Sequence, residues 1–568
     1  MIRADDDEES DMIDHDEPMA ITAADAVDEA ELVTFEPPGP GQWQLETTHH
    51  GLRPLSHLIR DAYVDGFETG ISRCLERYGL PLSIVRAELV NGCFYVRPQG
   101  IGEGDEPSAP PPKPIMWLLT RVHPELRRRN RTARKAWAER RWRTEVDAWF
   151  EHERPVVLER NLALQAVEPT SLDETALAGH LRECLAHHAD GIRSNLDTHG
   201  GDIIPTGDLL AHGEHWGIDA TTMMTLLAGC SPATVETAVM LRPVAGALAD
   251  TDRRPTTLDE VRALSDEARN AVDSWIELHA WRLVTSDDVD RPTLAELPAL
   301  QLRAVLAATN SPFDPADPAD VRSQVPEADR PLFDELLEEA RYGHRQRDDI
   351  RGLCWNWPGG LVRRAMLEAG RRLADAGRIH DAEHAAELTP TEIDTLVRTG
   401  TGPTADDLAA RAARRDLVEA APPPRMLGEP EADPPLDAFP APLARAATAL
   451  MANLMADGTS PENAPLHGTG IGDETYRGRA CIVHDVADAM DRLQFGDVLI
   501  APFTGPAFNS LLPLVGALVV EEGGAMCHAA IVAREFGVPA LVGAADATGI
   551  DNGATVEVDP TAGVIRII

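Results

Sequence analysis

The sequence predicts a multidomain chain, largely α-helical through its N-terminal and central region and α/β at its C-terminus. Three observations carry that reading. Residues 171 to 420 repeat apolar side chains at helical spacing, with Pro and Gly breaks between segments. Residues 419 to 442 are Pro-rich (Pro422-Pro423-Pro424, Pro434-Pro435, Pro440, Pro442), the composition of a semi-rigid spacer. From Arg477 onward, short Val- and Ala-rich runs alternate with helix formers over enough chain for one compact domain. The expected division is an acidic tail over 1–35 and a mainly helical domain over 36–418, the possible substrate-binding region. A Pro-rich linker with a short helix follows over 419–472, then a C-terminal domain over 473–568.

Residues 1 to 35 are dominated by Asp and Glu, as in Asp5-Asp6-Asp7-Glu8-Glu9, and offer too little apolar surface to fold alone. They read as a disordered solubilising tail that could also screen a basic neighbour. From Trp43 the composition is globular. Tyr63, Phe67, Ile71 and Leu75 give Asp61 to Tyr78 a helical stripe ending near Gly79. Ile84 to Val96 reads as a hairpin turning at Asn91-Gly92, and Gly100 to Pro114 as a Gly/Pro-rich loop. Arg121 to Arg143 is the one basic stretch, interleaved with Trp137 and Trp142. A long amphipathic helix whose arginines meet acidic neighbours is preferred here over a nucleic-acid surface. Drawing in an anionic nucleotide or a phosphorylated domain is a third use.

Within the helical region, Leu172 to His188, Leu258 to Leu283, Leu332 to Tyr342 and Leu361 to Ala376 read as helices. His199, Asp202, Asp208, His212 and His215 cluster in one Gly- and Pro-interrupted run. Such groups can serve a substrate site or acid–base chemistry. No pair has the His-Glu-x-x-His spacing, so no metal is expected, and a polar loop between helices is the default. A short helix is expected over Leu443 to Met455. Strands are expected at Ala480–Val483, Val498–Pro502, Ala517–Val520, Ala540–Val542, Thr555–Val558 and Val564–Ile568, with helices over Ala487–Leu493, Phe508–Leu514 and His528–Phe536.

The totals bound the function. The net charge of −42 argues against nucleic acid as a general partner. Lys113 and Lys135 are the only lysines. Seven dispersed cysteines without a C-x-x-C pair read as reduced thiols. The most apolar run, Leu511 to Val520, is about half a membrane span, and the acidic N-terminus carries no apolar signal core. A cytoplasmic protein without membrane partners is expected.

The chemistry gathers near the C-terminus. Gly516 to Val520 is a short apolar strand, Gly523-Gly524 a flexible turn, Ala529 to Phe536 a helix closed by Gly537, and Ala540 to Val542 a second strand. His528 falls in the first helical turn, where unpaired N–H groups and the helix dipole favour a phosphoryl group and keep imidazole neutral. Taken alone, a histidine there is more simply a polar cap. However, Cys527-His528-Ala529-Ala530-Ile531, Ala533-Arg534-Glu535 and Gly537-Val538-Pro539 resemble the phosphohistidine motif of the PEP-utilising enzymes. That family includes phosphoenolpyruvate synthase, pyruvate phosphate dikinase and rifampin phosphotransferase.

The resemblance implies a swivelling β/β/α phosphohistidine domain with His528 as the phosphorylated residue. It places Gly523, Gly524, Thr504 and Arg534 around the phosphoryl group, although Thr504-Gly505-Pro506 stands where the family usually has Thr-Ser-Pro and reads equally as a simple turn. Cys527 replaces the hydroxyl residue many relatives carry, a change the synthases share. Met526 replaces their regulatory threonine, so that control is expected to be absent. Tyr342 to Leu388 resembles the helical segment preceding this domain in the synthase and rifampin phosphotransferase, though exposed Arg/Glu pairs would explain its charges equally well. Over 43 to 340 the likeness is faint.

Relatives charge the histidine with an ATP-grasp domain, which uses ATP and releases AMP. No candidate for it is present: there is no Gly-x-x-x-x-Gly-Lys loop, and Gly468-x-Gly470-x-Gly472 reads as linker. The pyruvate-binding βα barrel is also missing. The expectation is a phosphotransferase component that passes phosphate from an ATP-grasp partner in trans, where ATP and Mg²⁺ would bind, to a small-molecule acceptor. No cofactor is expected on this chain itself. A non-catalytic phosphohistidine carrier or regulatory binding protein is the alternative, and a degenerate relic the third. Rifampin-like antibiotics, pyruvate-like acids and phenols remain open as acceptors.

Overall fold

The computed structural model describes residues 33–46, 53–104, 109–251, 255–284, 287–308, 317–421, 423–432, 435–441, 443–445, 447–448 and 466–568, except 484–487, 490–491, 505–507, 509–510 and 525–526. The acidic tail, nearly all of it, lies outside the described residues, as do 449–465 of the expected linker and with them much of the short helix expected over Leu443 to Met455. Among those described, no helix is long and apolar enough to cross a membrane.

Helix α1 (Arg60–Tyr78) buries Tyr63, Phe67, Ile71, Cys74, Leu75 and Tyr78 and stops at Gly79, whose φ of 70° lets its N–H reach back to Glu76 and Leu75. It packs on a hairpin of β2 (Leu82–Val90) and β3 (Cys93–Gly100), turned by Asn91 and Gly92 at positive φ. Strand β1 (Trp43–Leu45) pairs antiparallel with β3, and β4 (Met426–Leu427) pairs with β1, giving the order β2-β3-β1-β4. The beginning of the Pro-rich stretch, read as linker, thus supplies an edge strand.

The basic stretch is not one long helix. It divides into α2 (Lys113–Val122), α3 (Pro124–Ala138) and a third piece, Arg141–Ala148. Pro124 holds His123 extended at φ −67°, ψ 126°, and Arg140 breaks the second junction with φ 46°. Its last arginines do meet acidic neighbours: Arg140 and Arg143 both pair with buried Glu339. Leu258 to Leu283 likewise divides, into Leu258–Arg262 and Asp266–His279, the second capped by Ser265 accepting from Ala268 N–H at 3.0 Å.

Helices α4 (Glu174–Thr198), α5 (Gly200–His215), α6 (Ala220–Thr225), α7 (Arg330–His344) and α8 (Trp357–Asp375) build the central core. The run holding His199 to His215, expected as a loop, is therefore corrected to a helix with Pro205 inside it. Its glycines serve packing rather than a turn: a Cβ on Gly343 of α7 would come within 2.3 Å of the Gly201 carbonyl. Burial on nearly every side of α5 offsets the low helix propensity of Gly and Pro.

The C-terminal sheet has the order β11-β10-β6-β7-β8-β9-β5. Strands β6 (Tyr476–Ile482), β7 (Val498–Ala501), β8 (Ala517–Val520) and β9 (Ala540–Val542) are parallel; β5 (Thr469–Ile471), β10 (Thr555–Asp559) and β11 (Val564–Ile567) join antiparallel. Side chains alternate as period two requires: Val498 and Ile500 enter one apolar layer, Leu499 and Ala501 the other. A bridge between His467 and Val564 curls the two edges together. At that crossing a Cβ on Gly470 would lie 1.8 Å from the Pro560 carbonyl, so the glycines read as linker instead permit close backbone approach.

Candidate functional site

Loops leaving the carboxyl ends of neighbouring parallel strands emerge along one sheet edge, the place where α/β sheets hold ligands. Ala501 pairs with Val520 in register. Beyond the strands, Glu521 and Glu522 N–H donate to the Ala501 and Pro502 carbonyls at 3.2 and 2.9 Å. Thr504 therefore leaves β7 beside the Gly523-Gly524 turn leaving β8. Thr504 is buried, and its hydroxyl has no hydrogen-bond partner among the described residues.

Gly523 turns the chain at φ 101°, where a Cβ would stand 2.6 Å from Cys527. The Cys527 N–H donates to the Gly524 carbonyl at 3.0 Å, which closes the turn. Helix α9 (His528–Phe536) follows, with Cys527 as its N-cap and the thiol sulfur accepting from Ala530 N–H at 3.5 Å. Burial pushes the Cys527 thiol up. His528 is the first residue of α9 and Gly537, at φ 63°, ends it. Small buried residues, Ala529, Ala530, Val532 and Ala533, let α9 lie close to the sheet.

The other side of α9 meets the helical region. Ile531 and Arg534 line a gap of about 10 Å³ with Met224, Leu227, Ala228 and His344, room for about one water. Burial lowers the Arg534 guanidinium to about 10, with the Cys527 and Asp219 charges working the other way. His344 ends α7, and its Nδ1 lies 3.2 Å from Asp202 of α5; the other Asp202 oxygen accepts from Arg347 at 3.2 Å. Burial alone would raise the Asp202 carboxyl, but Arg347, His344 and His199 together hold it at about 2. Burial opposes charge on His344, yet its hydrogen bond to Asp202 wins and raises its pKa. Arg347 also reaches Cys527 electrostatically, lowering the thiol against burial. The cluster therefore reaches α9 at two points: Arg534 and Arg347 act on Cys527 at its N-terminal end, and His344 lines the gap beside Ile531 and Arg534.

The expected substrate residues divide between two places. Asp202, beside His199, belongs to the cluster facing α9. Asp208 instead accepts from Trp137 Nε1 at 3.2 Å and Arg445 Nε at 3.0 Å, with His212 Nδ1 3.5 Å away. Asp208 and His212 therefore anchor the chain beyond the Pro-rich stretch, and His215 is exposed at the end of α5. Among the described residues, no group of three or more His, Cys, Asp or Glu side chains is placed to hold a metal ion. A separate groove, about 410 Å³ between α4 and the Pro390–Thr399 helix, is lined by Leu181, Leu185, Ile393 and Val397 among others and shares no residue with this cluster.

Sequence reasoning did not single out His344, and it left the charges of the Tyr342 to Leu388 stretch, Arg347 among them, open between a family-like helical segment and exposed Arg/Glu pairs. Both stand on one side of a helical run, three residues apart, and that spacing was the available signal. Their carboxylate partner lies 142 and 145 residues away in sequence.

Residues 493–563 match the family model described as the PEP-utilising enzyme, mobile domain. The chain is 29% identical over 350 residues to a rifampicin phosphotransferase from Streptomyces sviceus, covering 55% of this chain and 36% of that protein. It is 26% identical over 338 residues to the Bacillus subtilis rifampicin phosphotransferase, with the same coverage of 55% and 36%. Phosphoenolpyruvate synthase from Escherichia coli is 42% identical over 81 residues, which are 14% of this chain and 10% of the synthase. The chain spans about a third of the length of the two phosphotransferases.

Proposed function

We propose that this chain is a phosphotransferase component in which His528 carries a phosphoryl group from an ATP-charged partner to a small-molecule acceptor. The observation that carries the reading is the seat of α9. A helix N-terminus favours phosphate, and here Arg534 and Arg347 both act on its capping residue Cys527, with Asp202 holding Arg347 and His344. Gly523 and Gly524 admit close backbone approach, and the buried Thr504 hydroxyl is available to a phosphoryl oxygen.

In the transfer, a nitrogen of His528 attacks the β-phosphorus of the partner's ATP in line as AMP leaves, water cleaves off the terminal phosphate, and the imidazole holds the remaining phosphoryl as a phosphoramidate. An acceptor hydroxyl then attacks phosphorus, the P–N bond breaks, and the imidazole regains its lone pair. Arg347 and Arg534 balance the charge on the equatorial oxygens in both steps. The acceptor hydroxyl proton passes to solvent or to the product phosphate. ATP and Mg²⁺ belong to an ATP-grasp partner acting in trans. The mobile domain swings between that partner and the helical region, where the acceptor binds. The relatives named rifampicin phosphotransferase make a polycyclic hydroxyl compound one acceptor class to try.

The test is phosphohistidine detection on protein purified from its native host, wild type against His528→Ala. Acid-labile, base-stable phosphate on the wild type alone is expected. Its absence, even after incubation with host lysate and ATP labelled at the β position, would remove the carrier role.

A further inference from the structure

The surface formed by α2 and α3 is unlike the rest of the described chain. Helix α2 buries only Thr120, while Ile115, Trp117, Leu118 and Val122 are each half exposed or more. The Arg121 guanidinium lies 3.9 Å over the Trp117 ring and bonds its carbonyl, carrying positive charge along that apolar face. On α3, Arg127, Arg131 and Arg134 are exposed at i, i+4 and i+7, one side of the helix. None of the three pairs with a carboxylate among the described residues, whereas their neighbours Arg128, Arg129 and Lys135 all do. Three unpaired arginines beside an uncovered apolar helix are out of keeping with a chain of net charge −42.

We propose that the acidic N-terminal segment of this same chain docks on the α2–α3 surface. Residues 1–32 carry 13 carboxylates and one arginine, with Met12, Ile13, Met19, Ile21 and Val27 interspersed among them. Charge and apolar content therefore both complement the exposed face. The described chain begins at Val33, packed against the cluster of Trp43, Leu45 and Tyr95 on the small sheet. That sheet lies on α1, whose C-terminal Gly79 abuts the Arg129 carbonyl of α3. From Val33 back to Asp5 the chain can span about 90 Å when extended, so reach is no obstacle. Tethering supplies an effective concentration on the order of millimolar, enough for individually weak contacts.

The lysine content makes the test direct. The only two lysines, Lys113 and Lys135, are on α2 and α3, and both side chains are exposed. Zero-length carbodiimide coupling joins lysine amines to carboxylates, so peptide mapping of the full chain reads what lies on this surface. Coupling of Lys113 or Lys135 to residues 5–31 within one molecule is expected. Coupling in 0.5 M salt, or in the Arg127→Glu, Arg131→Glu, Arg134→Glu variant, is expected to fall on the order of tenfold, the combined effect of three exposed charges. The local Lys135–Glu139 and Lys113–Asp437 pairs serve as internal controls for folding and reactivity. Coupling confined to those local pairs would overturn the proposal. Products of dimer size that grow with protein concentration would assign the surface to a second copy and overturn it too.

Discussion

Replacing Asp202 by Asn removes the charge that binds His344 and Arg347 while keeping the side-chain shape and one acceptor. A carboxyl held at about 2 rather than its ordinary 3.8 contributes about 2–3 kcal/mol to folding at neutral pH. That contribution is complete above pH 3.8 and is lost as pH falls through about 2, so it is constant across the neutral range. The histidine half behaves oppositely. A pKa raised by folding gives stability that is complete below the unfolded value, about 6.5, and is lost as pH rises through the folded value. In the variant the carboxylate charge that offset burial of His344 is gone and only the more weakly acting Asp348 still favours the imidazolium, so this loss shrinks.

The stability gap between wild type and Asp202→Asn is therefore expected to be about 2–3 kcal/mol near pH 6 and to narrow toward pH 9. Urea unfolding read by tryptophan fluorescence measures it, since Trp149, Trp355 and Trp357 are buried in the helical core. A gap below about 0.5 kcal/mol at pH 6, within the range of ordinary surface substitutions, would refute the buried-pair account. So would a gap that widens toward pH 9.

Two further substitutions separate chemistry from anchoring. Gly523→Ala forces φ 101° on a residue with a Cβ and drives it into Cys527, at a cost of about 1–3 kcal/mol. Phosphoryl loading, measured as acid-labile phosphate, is expected to fall with the far-UV circular dichroism unchanged; full loading would show that the turn is not needed. Asp208→Asn leaves Trp137 and Arg445 without their shared carboxylate. Limited trypsin digestion is expected to cleave after Arg445 several-fold faster, and an unchanged rate would rule out Asp208 as the anchor of that segment.

What could be read from the sequence was local. Gly79 ends α1 and Asn91-Gly92 turns the hairpin because each sets its own backbone angle. The strand, double-glycine turn, helix and strand around His528 follow from short-range propensity and glycine placement. What could not be read depends on a distant neighbour. Gly200 to His215 has the composition of a loop, and only burial against α7 makes it a helix. Met426–Leu427 is a strand only because Trp43 and Gln44 pair with it. Asp202 was visible as a polar residue of interest, but its role required His344 and Arg347 to be brought beside it. The basic stretch was read as one helix because its arginines and tryptophans keep helical spacing through His123-Pro124, where the backbone does not.

The seat of α9 also constrains how a carrier could work. Besides the cationic cluster, one continuous apolar cluster takes in Val244, Val261, Trp275 and Leu300 of the helical region and Leu499, Leu518, Ala530 and Val532 of the C-terminal sheet and helix. Arg425, just before β4, pairs with Glu522 at 2.8 Å, tying the small sheet to the edge from which the His528 loop leaves. Undocking would expose apolar surface at about 25 cal/mol per Å² and strand Glu522 without its arginine. Reach is not the limit, because the roughly seventeen residues between Thr448 and Leu466 span up to about 60 Å when extended. The limit is energetic. On the carrier reading, a loading partner has to offer an apolar seat comparable to the one that α9 leaves, or charge the histidine where it sits.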